Sequence, residues 1–225
     1  MTGHRLRLDR LTIALGGVTL AAIDATVGPG EVLTVMGPSG SGKSTLLAFL
    51  AGFLDSAFSA GGRVLLDGED VTGRPAEARR IGLLFQDPLL FPHLSVGGNL
   101  LFGMPRHRAP RHRAPRECDR RDRMRAALRE VGLEGYADRD PATLSGGQKA
   151  RVALQRLLLS EPRAVLLDEP FSRLDAALRG EVRDLVFARL RDAGLPAVLV
   201  THDAADRPAD GGEVVHLCPP APHLP

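Results

Sequence analysis

The sequence predicts an α/β domain built on a parallel sheet, on three observations. Short apolar runs at Glu31–Met36, Ile81–Phe85, Ala164–Leu167 and Ala197–Val200 read as buried strands, and helical stretches alternate with them; strands alternating with helices imply parallel pairing. The first run feeds straight into a glycine-rich loop and then a helix. From Asp87 to about Ser160 the character changes to helices and loops, which marks a helical lobe inserted into the sheet domain.

Each element has its own signal. Leu6, Leu8, Leu11, Ile13 and Leu15 mostly alternate with other residues, the periodicity of a strand, and Gly16-Gly17 reads as a hairpin turn. Residues 5–35 are therefore short strands. Basic Met1–Arg10 followed by apolar Leu11–Ile23 imitates a secretory signal, but the alternation argues for strand. Ser44–Phe53 is a helix, apolar along much of its length. Gly61–Asp67 is another strand with a turn at Asp67-Gly68, and Ile81–Phe85 ends at Gln86. Met124, Leu128 and Val131 mark one face of a helix that Gly132 ends. Lys149–Leu159 is a further helix. The chain has no run of 18 apolar residues, so no spanning helix is expected. Pro219–Pro225 is a Pro-rich tail that leaves 5–218 as one domain.

Composition sets bounds. A chain of 225 residues suits one domain with a substantial core, and 44% apolar with 25% charged residues is ordinary for a globular protein. A net charge of +2 is too small to argue for nucleic acid. Cys118 and Cys218 lie in no metal-type spacing and are expected to be reduced thiols. Of 29 basic residues only two are lysine, Lys43 and Lys149. Lys43 falls inside the glycine-rich loop, where a compact ammonium suits a point contact to phosphate better than a planar guanidinium fork.

That loop reads Gly37-Pro38-Ser39-Gly40-Ser41-Gly42-Lys43-Ser44. Its glycines let backbone amides turn inward around a polyphosphate, and the following helix adds its positive end. Lys43 is expected to reach the β- and γ-phosphates, the Ser44 hydroxyl to ligate Mg2+, and Thr45 to help on the α-phosphate side. Val165-Leu166-Leu167-Asp168-Glu169 is an apolar run ending in paired acids. Asp168 at the carboxyl edge of a strand can hold the Mg2+ shell, and Glu169, one step on, can polarise the attacking water. Taken alone such an ending is an ordinary strand end; its place after a phosphate loop gives it chemistry. Leu144-Ser145-Gly146-Gly147-Gln148 opens a helix with Ser145 as a good N-cap and glycines that expose amides to an incoming anion.

In this order the three motifs resemble those of ATP-binding cassette (ABC) transporter ATPase subunits, over about 5–218 of the chain. The resemblance implies a P-loop NTPase (RecA-like) core with an antiparallel β subdomain and an inserted helical subdomain at about 87–160. It implies ATP and Mg2+ as ligands and a homodimer in which Leu144–Gln148 of one subunit contacts the γ-phosphate held by the other. Gln86 matches the glutamine that senses Mg2+ and the γ-phosphate. Asp175, in Ser172-Arg173-Leu174-Asp175, matches the D-loop across the dimer. His202, after Ala197–Thr201, matches the switch histidine on the γ-phosphate. The stretches Ile81–Asp87 and Leu90–Val96 look like importers for thiamine, polyamines, iron and similar solutes. Asp140–Leu144 and Glu169–Asp175 look closest to the YnjD-type subunits thought to serve a thiamine-like importer. An integral membrane permease, a periplasmic solute-binding protein and a peripheral place on the cytoplasmic face of the inner membrane are implied with it. The segment after Gln86, including Phe91–Val96, is the expected permease surface.

One departure from the family is the absence of an aromatic residue in Thr12–Gly17, where it usually offers one to stack on adenine. Loose base selectivity is the expectation, with GTP competing well against ATP. Residues Arg106–Arg125 carry nine arginines, with Arg-His-Arg-Ala-Pro repeated at 106–110 and 111–115. They read as a solvated insert, with contact to anionic lipid headgroups as the sharper alternative. The rival to a transporter subunit is a soluble ABC-type ATPase acting on nucleic acid or ribosomes; those usually fuse two cassettes or carry long coiled coils, and no nucleic acid is expected here. A P-loop GTPase or kinase is disfavoured, because the sequence holds no Asn-Lys-x-Asp base-reading motif.

Overall fold

The computed structural model describes residues 3–105 and 117–217. In chain order the strands are β1 (Leu6–Leu15), β2 (Val18–Val27), β3 (Val32–Met36), β4 (Phe58–Leu66), β5 (Glu69–Asp70), β6 (Ile81–Leu84), β7 (Ala164–Asp168), β8 (Ala197–Thr201) and β9 (Val214–His216). The helices are α1 (Lys43–Ala51), α2 (Ala76–Arg79), α3 (Val96–Gly103), α4 (Glu117–Glu130), α5 (Gly146–Leu159) and α6 (Ala176–Asp192). Two compact units emerge: one holds residues to Leu83, Pro162–Glu169 and Val186 onward, the other Leu84–Glu161 and Pro170–Leu185.

The first unit contains an antiparallel sheet, order β2-β1-β4-β5, and a parallel sheet, order β6-β7-β8-β3-β9. Leu6, Leu8, Leu11 and Ile13 of β1 are all fully buried, although Leu8 and Leu11 are out of step for a plain strand. A bulge at Asp9–Arg10, with Arg10 at φ 48°, returns them to one face. Facing it, Gly62 sits at φ 85°, and a Cβ there would lie 2.4 Å from the Arg10 carbonyl oxygen, so glycine is required. The stretch that imitates a signal peptide thus contains β1 and the start of β2, a hairpin of this sheet. Gly16-Gly17 and Asp67-Gly68 each place two residues at positive φ, the geometry of tight hairpin turns. β3, β7 and β8 are buried apolar runs, as parallel strands covered on both faces must be. Their core joins Leu33, Val35, Leu166, Val198 and Val200 to Leu46 and Leu50 of α1.

The helix expected over Ser44–Phe53 starts at Lys43 and stops at Ala51, because Gly52 takes φ 92° and its amide closes the last turn on Ala48 and Phe49. Arg79, only 5% exposed, donates to the Phe49 and Leu50 carbonyls at 2.7 and 3.1 Å and also binds the Arg74 and Thr72 carbonyls, so it finishes that helix end from outside.

The second unit is helical, with Val96, Leu100, Met124, Leu128, Val131 and Val152 in its core. Met124, Leu128 and Val131 do form one buried face, and Gly132 follows at φ 70°. Residues 106–116 of the Arg-rich stretch lie outside the described residues. Two of its later arginines have partners in this unit: Arg120 donates to the Leu101 carbonyl at 2.7 Å, and Arg123 pairs at the surface with Glu161 at 2.9 Å. α5 begins at Gly146, three residues before the expected Lys149.

Candidate functional site

The carboxyl ends of β3, β7 and β8 lie side by side, since β8 pairs with β7 on one side and β3 on the other. Met36 is registered with Thr201, and Asp168 with Val200. The glycine-rich loop, Asp168-Glu169 and His202 therefore all leave the same sheet edge, where open parallel sheets bind ligands.

Within the loop, Gly40 and Gly42 take φ 79° and 90°. Gly40 would meet no atom with a Cβ, so its glycine answers to backbone conformation alone. The loop folds around Lys43, whose ammonium donates to the Gly37 and Pro38 carbonyls at 2.7 and 2.8 Å. Gly42, the residue before α1, offers it no side-chain cap, so the amides of the helix's first turn are left for an outside acceptor. The fully buried Ser41 hydroxyl has no partner among the described residues. These are the features of a phosphate cradle.

Beside it, burial pushes the Asp168 carboxyl above the ordinary carboxylate range; the charge of Glu169 adds to this and Lys43 partly offsets it. Glu169 takes φ 43°, and its amide donates a hydrogen bond to the Val200 carbonyl at 2.9 Å. Its Oε1 lies 3.1 Å from Nδ1 of His202. The turn that carries His202 is stapled by Thr201, whose hydroxyl donates to Oδ2 of the buried Asp206 at 2.7 Å and accepts from the Asp203 amide at 3.0 Å. No cluster of three or more His, Cys, Asp or Glu forms a metal cage among the described residues. A sparse oxygen set, Ser44 with Asp168, fits an Mg2+ that takes its remaining ligands from phosphates and water.

A cleft of about 460 Å³ opens over the loop, lined by Ser39, Gly40, Gly42–Thr45 and Glu169, and by Leu15, Leu20 and Phe58. Phe58 is the residue that sequence reasoning missed. It begins β4 and sits directly across from Leu15 of β1. Thr12–Gly17 holds no aromatic, but the neighbouring strand brings one to the same cleft, which strand pairing reveals and local pattern does not.

The remaining expected residues belong to the second unit. Ser145 caps α5 in a capping box: its hydroxyl accepts from the Gln148 amide at 3.3 Å, and its own amide donates to Oε1 of Gln148 at 3.0 Å. Leu144 is buried, while Ser145 and Gly146 are exposed. Gly147 lets the Leu178 side chain of α6 pack close: a Cβ there would lie 2.3 Å from it, so a larger residue would push that side chain aside. Asp175 accepts from the Leu178 amide at 3.0 Å and so caps α6. Gln86 is exposed on the bend after β6.

Comparison with known proteins agrees with this geometry. The family model described as ABC transporter matches residues 20–172. The uncharacterized ABC transporter ATP-binding protein YnjD of Escherichia coli is 49% identical, over 85% of this chain and 85% of its own. The thiamine import ATP-binding protein ThiQ of Jannaschia sp. is 44% identical, over 89% of this chain and 83% of its own. The sulfate/thiosulfate import ATP-binding protein CysA of Methylococcus capsulatus is 48% identical over 88% of this chain, which spans 56% of that longer relative. A phosphate cradle, strand-end acids and a capped Ser-Gly-Gly helix start, in a chain this similar over most of its length, place the protein in the ABC transporter family.

Proposed function

We propose that this chain is the ATP-binding and ATP-hydrolysing subunit of an ABC importer. It works as a homodimer on the cytoplasmic face of the inner membrane, bound to a separate permease fed by a periplasmic solute-binding protein. The observation that carries the proposal is the shared sheet edge, where the lysine-cupping loop, the uncapped start of α1, Asp168, Glu169 and His202 converge. Import subunits among the relatives favour transport over a soluble role on nucleic acid. No described helix is long and apolar enough to cross a membrane, so translocation falls to a partner.

Lys43 and the amides around it hold the phosphates. Ser44, Asp168 and Gln86 would hold Mg2+, which would supply positive charge to offset that of the phosphates. Glu169 accepts a proton as the water oxygen bonds to the γ-phosphorus and the bond to the leaving β-phosphate oxygen breaks. His202, beside Glu169, contacts the γ-phosphate. Leu144–Gln148 and Asp175 complete the site of the opposite subunit. The base lies against Leu15, Leu20 and Phe58. Stacking on an aromatic face tolerates any base, so Phe58 contributes affinity while ATP and GTP still compete. Phe85, Leu89 and Phe102 are exposed on the second unit, where the segment after Gln86 meets the permease.

Sedimentation tests the proposal. A hydrolysis-arrested chain forms dimers with Mg-ATP and stays monomeric with Mg-ADP; a chain that binds ATP yet remains monomeric rules out the shared site. Phe58→Ala weakens ATP and GTP alike, by about tenfold or ~1.4 kcal/mol, in a titration with a fluorescent nucleotide. A loss confined to ATP would mean that Phe58 discriminates between bases.

A further inference from the structure

Two side chains grip the segment that follows Gln86. Arg156, on α5, donates from Nη2 to the Pro88 carbonyl at 3.0 Å and from Nη1 to the Leu89 carbonyl at 2.8 Å, so its fork spans two successive peptide units. The same Nη1 lies 3.4 Å from Oδ1 of Asn99, and the guanidinium sits 5.4 Å from the centre of the Phe91 ring. Asn99, on α3 and fully buried, accepts from the Phe91 amide at 2.8 Å. It donates to the carbonyls of Phe91, Leu94 and Ser95 at 3.1, 3.3 and 3.1 Å. Helices α3 and α5 are themselves in close contact, since a Cβ on Gly103 would lie 2.7 Å from the Arg156 carbonyl oxygen.

The gripped segment is not relaxed. Leu89 sits at φ 45°, a conformation that costs a leucine about 1–2 kcal/mol, and its side chain is 53% exposed. Such a residue persists only where its surroundings hold it, and here the hold on its carbonyl is Arg156. Burial pushes the Arg156 guanidinium down from its ordinary value. Its hydrogen-bond partners among the described residues are carbonyl and amide oxygens. A half-buried cation spent on main-chain carbonyls gives the segment a defined, strained position.

Arg156 and Ser145 share α5. They stand eleven residues apart, roughly 16 Å along one helix axis, and the capping box fixes the first turn. We infer that Arg156, with Asn99, is a positioning residue that makes residues 88–95 move as one body with α5. ATP contact at Ser145 and permease contact after Gln86 then act on one element, and Leu89 is the point at which the two separate if the grip fails. The inference rests on the proposed function, which places those two contacts.

Amide exchange tests it in the Glu169→Gln chain, without and with saturating Mg-ATP. ATP slows exchange at the Gln148 amide and, together with it, at the Phe91 and Leu94 amides, each by about tenfold. Adding Arg156→Lys keeps the charge and removes the fork; slowing at Gln148 then persists, which also certifies the fold, while slowing at Phe91 disappears. Slowing at Gln148 without any at Phe91 and Leu94 overturns the coupling. An undiminished Phe91 response in Arg156→Lys overturns the role of Arg156. No slowing at Gln148 in the parent refutes the shared ATP site itself and removes the basis of the coupling.

Discussion

ATP turnover falls about a thousandfold when Glu169 is replaced by glutamine, while ATP binding survives. The side chain keeps its length and shape, so the cleft and the approach to His202 at 3.1 Å are preserved. What is lost is the ability to take a proton from water as it attacks. A positioned general base contributes about 10²–10⁴-fold, and a thousandfold loss corresponds to about 4 kcal/mol of barrier. The backbone makes the assignment specific. Glu169 takes φ 43°, its amide donates to the Val200 carbonyl, and its Oε1 lies beside His202. Under the proposed mechanism the two acids divide the work, Asp168 for the metal and Glu169 for the proton. Phosphate release at saturating Mg-ATP measures the loss, and a fluorescent nucleotide measures the retained binding. A Glu169→Gln chain with ordinary turnover assigns the base to another group.

Local patterns were legible and contacts between strands were not. The apolar runs of β3, β7 and β8 are fixed by composition alone, because a strand buried on both faces has no polar alternation to confuse it. Their carboxyl ends then place Lys43, Asp168, Glu169 and His202 on one edge. Ser145 as an N-cap was equally local, although Gln148 closing the box from the other side was not foreseen. Phe58 escaped because its partner Leu15 is 43 residues away in sequence and the pairing depends on a bulge. α6 escaped as well. Its buried Val182, Val186 and Leu190 recur every four residues, but its arginines, its acids and Gly180 mask the stripe. β9 has three residues and draws its register wholly from β3. Within the Arg-rich stretch, the Arg120 contact with the Leu101 carbonyl and the Arg123 pair with Glu161 depend on neighbours distant in sequence and had no local signal.

Replacing Lys43 by alanine lowers ATP affinity by about a hundredfold, close to 3 kcal/mol, and Lys43→Arg does not restore it. Hydrogen bonds to a charged group are worth about 1.5–3 kcal/mol each, and one ammonium can serve both the β- and γ-phosphates. The ammonium now rests on the Gly37 and Pro38 carbonyls at 2.7 and 2.8 Å. It is only 7% exposed, so it sits inside the loop that the proposed function assigns to the phosphates. A guanidinium carries the same charge but is planar and wider, and a loop closed on two carbonyls has no room for it without opening. The chain has 27 arginines and two lysines, so a lysine at this position reflects shape more than supply. Thermal unfolding with and without ATP checks this. At a concentration a hundred times the parent dissociation constant, ligand adds about 2.7 kcal/mol of stability; a hundredfold weaker variant keeps only about 0.4 kcal/mol of it. Equal stabilisation of Lys43→Arg and the parent would mean that the cradle reads charge alone.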